Sequence, residues 1–299
     1  MKRLIFKKKA QKNTQLELGM GRKREPDRNF DRGGRSFYFF DFDDNIAFLS
    51  TPIFVFHKKT GEPLALSSGE YAQFKNSIGE YGKYANYEFI YGPDGSFQSF
   101  RDKNIRFYKR LFGETEDFEK DIENALSYPD FDWKGPSWNC FYHAVFNKRP
   151  ISLITARGHR PSTIVRGVQR FVDHGFLPNT PNYLSLFPVS NEETQMSLTG
   201  SYEEGVDVAR LKQLAIRKSV EQAFEKYGEN PYHRFGMSDD DPQNLELIIE
   251  EMASLKKELP QNSFFVISTH GGSMVKREIF SDHTIDSVIP DRAEQLSLL

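Results

Sequence analysis

The chain has 299 residues, 38% of them hydrophobic and 14% aromatic, enough to build a real core in one large domain or two modest ones. A net charge of -2 excludes binding of polyanions by overall charge, and the single cysteine, Cys140, excludes both an intramolecular disulfide and a multi-thiolate zinc site. No run approaches the roughly 20 apolar residues of a membrane span, and the basic N-terminus lacks the apolar centre of a signal peptide, so no membrane partner and a cytoplasmic location are expected.

Residues 1–35 are polar and basic, carrying Lys7-Lys8-Lys9, Arg22-Lys23-Arg24, Arg28, Arg32 and Arg35. Leu4-Ile5-Phe6 could add a short edge strand; the rest is expected to be a mobile arm, either solvated or in contact with a polyanion. Then comes Phe37-Tyr38-Phe39-Phe40, an aromatic run too short for a helix, which predicts a buried strand. It runs directly into Asp41, Asp43 and Asp44, with only Phe42 between them. Carboxylates crowded at a strand end repel one another unless a cation neutralises them, and their hard oxygens suit Mg²⁺. One of them could also attack phosphorus.

Two apolar runs around Lys58-Lys59-Thr60-Gly61 predict a β-hairpin over 51–66. Residues 67–100 are rich in aromatics, and Tyr71, Phe74, Tyr81, Tyr84, Tyr87, Phe89 and Tyr91 either line a pocket or pack half-buried. Helices are expected over 116–126 and 138–146. From Ile151 the chain alternates. A strand over 151–154 ends at Thr155, Pro161 marks a helix start, and Gly175 stops that helix. A strand over 183–189 and a long helix over 206–227, bearing Lys212, Arg217 and Lys218, follow. A short strand over 232–237 meets Ser238-Asp239-Asp240-Asp241-Pro242. A helix over 244–259 and a strand over 263–268 come next, then Thr269-His270-Gly271-Gly272, a tight turn or a site contact. Beyond Ser281 the chain reads as irregular.

Strand-helix alternation predicts an α/β fold with a mostly parallel sheet flanked by helices, and such sheets bind ligands outside the carboxyl ends of their strands. Three of the expected strands end in chemically useful residues: Asp41/Asp43, Thr155 and Asp239/Asp240.

In that order these segments resemble the signatures of the haloacid dehalogenase (HAD) superfamily. They are Phe37 to Phe40 followed by Asp41-Phe42-Asp43-Asp44-Asn45; Ile151 to Ile154 followed by Thr155; a helical lysine; and Phe235-Gly236-Met237-Ser238 followed by Asp239-Asp240. The resemblance implies a Rossmann-like core over 36–50 and 148–280, a flap and cap insertion over 51–147, an arm over 1–35 and a tail over 281–299. It implies an aspartyl-phosphate mechanism with Asp41 as nucleophile and Asp43 as general acid/base. Thr155 would bond a phosphoryl oxygen, and Lys218 would neutralise charge, with Lys212 as the runner-up. Mg²⁺ would be held by Asp41, the Asp43 carbonyl, Asp239 and Asp240. Asp241, just before Pro242, is expected to cap a helix. Asn45 stands where the family usually has Thr or Val, and Asn244 where many members have an acid.

The expected function is therefore a Mg²⁺-dependent phosphomonoester hydrolase acting on a phosphorylated small molecule. The alternative is a non-enzymatic protein of the same fold that binds nucleic acid or a protein partner through its basic arm; a nucleic-acid-processing hybrid is also open. A dinucleotide-binding domain is set aside, because the first strand lacks GxGxxG and its terminal acids would repel a pyrophosphate.

Overall fold

The computed structural model describes residues 23–270 and 274–288. Its strands, in chain order, are β1 (Ser36–Phe40), β2 (Ile53–His57), β3 (Pro63–Leu66), β4 (Tyr87–Glu88), β5 (Pro150–Thr155), β6 (Asn182–Pro188), β7 (Arg234–Asp239), β8 (Ser263–Ser268), β9 (Val275–Ile279) and β10 (Thr284–Val288). The α-helices are α1 (Ser68–Phe74), α2 (Phe107–Leu111), α3 (Asp117–Ala125), α4 (Asp130–Trp133), α5 (Trp138–Phe146), α6 (Pro161–Asp173), α7 (Glu192–Thr199), α8 (Val208–Tyr227) and α9 (Pro242–Glu258).

Seven strands form one sheet in the order β10-β9-β8-β7-β1-β5-β6, and β2, β3 and β4 form a small second sheet. The run β8-β7-β1-β5-β6 is parallel throughout. β1 lies at its centre and every one of its residues is buried, because helices cover both faces. Its side chains alternate between them. Phe37 and Phe39 pack with Leu211 and Ile216 of α8 and Ile248 and Met252 of α9. Tyr38 and Phe40 pack with Phe141 of α5 and Ile164 and Phe171 of α6. Each such buried aromatic contributes roughly 1.5–3 kcal/mol relative to exposure.

The structure differs from expectation in three places. β9 and β10 form an antiparallel hairpin added beside β8, and β10 falls in the tail over 281–299 that was expected to be irregular. Their sequences are mostly polar, as suits an edge, and Arg277 pairs with Asp286 across them at 2.6 and 2.8 Å. Next, the second part of the expected insertion over 51–147 belongs to the core. Phe118 and Ile122 of α3, Trp133 of α4, and Trp138 and Phe141 of α5 share one cluster with Tyr38 and Phe40. Only the hairpin region has a cluster of its own, built on Val55, Leu66, Ile78 and Tyr84.

The third difference is the basic arm. Its first 22 residues, Leu4-Ile5-Phe6 and Lys7-Lys8-Lys9 included, lie outside the described residues. The stretch 25–35 is held to the core rather than free. Arg149 donates to the carbonyls of Glu25 and Pro26 at 2.9 and 2.8 Å and pairs with Asp27 at 2.8 Å. Asp27 in turn accepts from the Ser36 amide at 3.0 Å. Arg32 and Arg35 lie over the rings of Tyr232 and Tyr227. Among the described residues no helix is long and apolar enough to cross a membrane.

Candidate active site

Because β1, β5 and β7 are parallel, their carboxyl ends share one edge of the sheet. The strand order also reverses at β1, with β5 and β6 on one side and β7 and β8 on the other. Parallel sheets generally bind ligands at such a reversal, and the acids lie at this one. The Asp41 amide continues the ladder, donating to the Ser238 carbonyl at 2.9 Å. The chain then turns sharply: the Ile46 and Ala47 amides both donate to the Phe42 carbonyl, and Asp44 takes a left-handed φ of 56°.

Asn45 holds this turn in place. It is fully buried. Its amide nitrogen donates to the carbonyls of Asp41 and Ser238, both at 3.1 Å, and its oxygen accepts from the hydroxyls of Ser238 and Thr269 at 3.1 and 3.0 Å. One side chain thus ties the ends of β1 and β7 to the residue after β8. Neither Thr nor Val at this position could make four such bonds. Gly135 closes the turn from outside, and a Cβ there would lie 2.4 Å from the Asn45 carbonyl oxygen. Gly135→Ala is expected to destabilise the protein by about 2 kcal/mol through overpacking against backbone. The check is a lower urea midpoint with an unchanged slope.

Carboxylate oxygens of Asp41, Asp239 and Asp240 lie within 4.8 Å of one another. Lys212 reaches into the group, 3.1 Å from Oδ1 of Asp41 and 2.7 Å from Oδ2 of Asp239. The other oxygen of Asp239 accepts from the Asp241 amide at 3.0 Å and from Asn244 at 3.1 Å. Asn244 therefore orients an acid instead of supplying one. Asp241 caps α9 as expected, accepting from the Gln243 amide at 2.9 Å.

Burial pushes the Asp41 carboxyl well above its usual range; Lys212 pulls it back, while Asp239, Asp240 and Asp43 push it further up. Burial, then the charge of Asp239, raises Asp240 to about 7. Burial, then Asp43, raises Asp44 to about 6. Burial works against the Lys212 ammonium, but the charges of Asp239 and Asp41 outweigh it and its pKa rises. Negative charge here exceeds what one lysine balances, and the buried Oδ1 of Asp41 has only the Lys212 ammonium, 3.1 Å away, beside it. An all-oxygen donor set with more negative charge than its one lysine balances fits a hard divalent cation such as Mg²⁺.

Lys218, expected to serve the site, does not reach it. It is largely solvated and pairs with Glu221 at 2.9 Å. Six helical positions turn it about 120° away from Lys212 around α8. A signal for Lys212 was present in the sequence. It shares a stripe with Ile216 and Val220, both buried, whereas the neighbours of Lys218 at the same spacings are Gln222 and Lys226.

The side chain of Asp43 turns away from the three clustered acids toward Arg157, a residue to which the sequence assigned no role. Nε and Nη2 of Arg157 grip both Asp43 oxygens, at 2.8 Å to Oδ2 and 2.6 Å to Oδ1. Thr155 is brought to the same place. Its hydroxyl donates to Oδ2 of Asp43 at 3.4 Å and accepts from the Arg157 amide at 3.3 Å. Beyond the site, Phe74, Tyr84, Tyr87 and Phe89 pack within the hairpin cluster, and Tyr81 and Tyr91 are exposed. His270 is exposed, and Gly271-Gly272 lie outside the described residues.

Two residues beyond Arg157, His159 is fully buried, its ring 5.6 Å from that of Phe118. Neither ring nitrogen has a hydrogen-bond partner among the described residues. Burial, then the charge of Arg157, lowers its pKa to about 2. An unfolded chain binds that proton near pH 6.5. Between those values the unfolded state carries the extra proton, so this contribution is complete above pH 6.5 and lost as pH falls. His159→Phe is expected to remove about 2 kcal/mol of the stability lost between pH 6.5 and pH 5. Urea unfolding of both proteins at the two pH values measures it.

Comparison with protein-family models, curated proteins and solved structures finds no match to this chain.

Proposed function

We propose that this protein is a Mg²⁺-dependent phosphomonoester hydrolase of the HAD type, acting on a phosphorylated small molecule. One observation carries the proposal: Asp41, Asp239 and Asp240 converge with Lys212 at the carboxyl edge of the parallel sheet. These residues come from three elements far apart in the chain, and packing alone requires none of them to be charged.

In the proposed chemistry an oxygen of Asp41 attacks phosphorus. The bond from phosphorus to the leaving oxygen breaks, its electron pair stays on that oxygen, and the oxygen takes a proton from Asp43. Water then attacks the aspartyl-phosphate and gives a proton to Asp43. The bond to Asp41 breaks and phosphate departs, so the sum is ester plus water giving alcohol plus phosphate. Lys212 offsets the charge of Asp41 and of the incoming phosphoryl group throughout. Asp41, Asp239, Asp240 and the Asp43 carbonyl are the proposed holders of Mg²⁺. When bound, the ion neutralises charge and polarises a phosphoryl oxygen.

The small sheet and α1 make a suitable flap. Ser68 donates to Asp44 at 3.5 Å, and Lys75 reaches Asp241 at 3.4 Å and Gln243 at 3.1 Å. These contacts bring the insertion over the strand ends, where closure would exclude water. The alternative, recruitment of nucleic acid by the basic arm, has less support. Residues 25–35 dock at the amino ends of the strands, opposite the acids. The direct test is phosphate release from a panel of monoesters with and without Mg²⁺. Release that requires the ion is expected, and no release from any ester in its presence rejects the assignment.

A further inference from the structure

A second group of charges gathers on the face of the sheet that carries Phe265. Residues opposite one another on paired strands share a face, and so do alternate residues along one strand. Phe265 is opposite Gly236 of β7 and Glu278 of β9, so Arg234, Lys276 and Glu278 stand on its face. Gly236 puts no side chain beside the ring, and two cations lie over it instead. The guanidinium carbon of Arg234 is 4.5 Å from the ring centroid and the Lys276 ammonium 4.1 Å. Arg28, from the stretch docked at the amino ends of the strands, is close enough that its charge bears on both. Burial, then the charge of Arg234, lowers Lys276 to about 8. Burial, then the charge of Arg28, holds Arg234 below the usual arginine range.

Among the described residues none of these three side chains forms an ion pair, and Nε of Arg234 is buried without a hydrogen bond. Glu278 opposes their charge but pairs with none of them. Half-buried cations crowded together are costly without a counter-ion, and a ring face offsets only part of that cost. Three cations against one acid leave two positive charges. That is the complement of a phosphate dianion, whose oxygens a guanidinium fork also matches in geometry.

We propose that Arg28, Arg234 and Lys276 form a binding site for a phosphate dianion, free or as the end group of a small molecule. Seated there, the anion bridges the docked stretch to β7 and β9. Arg234 opens β7 and Asp239 closes it, about 16 Å away along the strand, so the site is separate from the clustered acids. Nothing in it requires the chemistry proposed at Asp41.

Lys276 itself reports the binding. The full chain is treated with acetic anhydride at pH 8 in EDTA, and peptide mass analysis follows acetylation of Lys276 and of the solvated Lys218. Inorganic phosphate is expected to slow acetylation of Lys276 about 5-fold, because a bound dianion favours the unreactive ammonium, and to leave Lys218 unchanged. Glycerol phosphate replaces phosphate in a parallel series; stronger protection by one or the other assigns the free ion or the end group. Sodium chloride at the same ionic strength is expected to protect neither lysine. Arg234→Gln is expected to abolish the protection. Arg28→Ala alters an exposed side chain, so it is expected to weaken the protection even if Arg234→Gln folds poorly. No slowing by either phosphate overturns the site. Equal protection by chloride, or protection that survives both substitutions, means an adventitious ion only and overturns it as well. So does stronger protection, at equal phosphorus concentration, by an oligothymidylate without end phosphates, which would assign these cations to a polynucleotide backbone.

Discussion

Replacing Lys212 with methionine is expected to destabilise the protein by about 3–5 kcal/mol, the usual consequence of removing one partner from a buried ion pair. The same change is expected to remove phosphate release. Lys212 is buried and contacts Asp41 and Asp239 at once. Methionine fills the same space but leaves two buried carboxylates without a counter-charge. The deficit should shrink as pH falls. Burial already raises the Asp41 carboxyl, and without the opposing lysine a protonated Asp41 becomes the folded form. It should shrink also on adding Mg²⁺, which would supply the missing positive charge. Lys218→Ala is the control: its ammonium is solvated and makes only a helix-surface pair, so an effect within about 0.5 kcal/mol is expected. Thermal and urea unfolding of the two variants, alongside their turnover, decide between the lysines. A neutral Lys212→Met with an inactive Lys218→Ala would reverse the assignment.

Asp41→Asn is expected to lower turnover by at least about 10,000-fold, roughly 5 kcal/mol of barrier. An amide oxygen cannot act as the anionic nucleophile that the proposed first step requires. Stability should stay level or rise, because Asp41 is pushed toward its neutral form by burial and by three neighbouring carboxylates. An amide of the same size removes that repulsion. Inactivity in a protein at least as stable as the parent therefore reports chemistry rather than misfolding. The companion measurement is acid quenching during turnover followed by peptide mass analysis, which should find the phosphoryl group on Asp41 in the parent and nowhere in the variant. Undiminished turnover by Asp41→Asn would sink the nucleophile.

Much of the fold was legible without coordinates. The aromatic run before Asp41 and the alternation after Ile151 are local hydrophobic patterns, and local patterns report strands and helices directly. Parallel topology then carries the strand ends to one edge, so Asp41, Thr155, Asp239 and Asp240 could be grouped in advance. Asp241 as a cap was equally local, set by the proline that follows it.

Other features needed the tertiary structure. The β9–β10 hairpin is an edge element whose polar side chains carry little hydrophobic signal, and its strands are specified by their pairing with β8. Helices α3 and α5 look alike from the sequence whether they build a cap or a core, because an apolar stripe does not say which surface it meets. Asn45 reads as a lapse from a motif until its four hydrogen bonds, to three residues at three strand ends, are assembled around it. The pairing of Arg157 with Asp43 depends on Thr51, Phe100 and Phe118 enclosing a charge that ordinarily stays in water. What the chain by itself determined was where acids would meet strand ends, since that follows from short-range pattern. Which cations would answer those acids was decided only on folding, because a buried charge is stable solely where distant segments supply its partners.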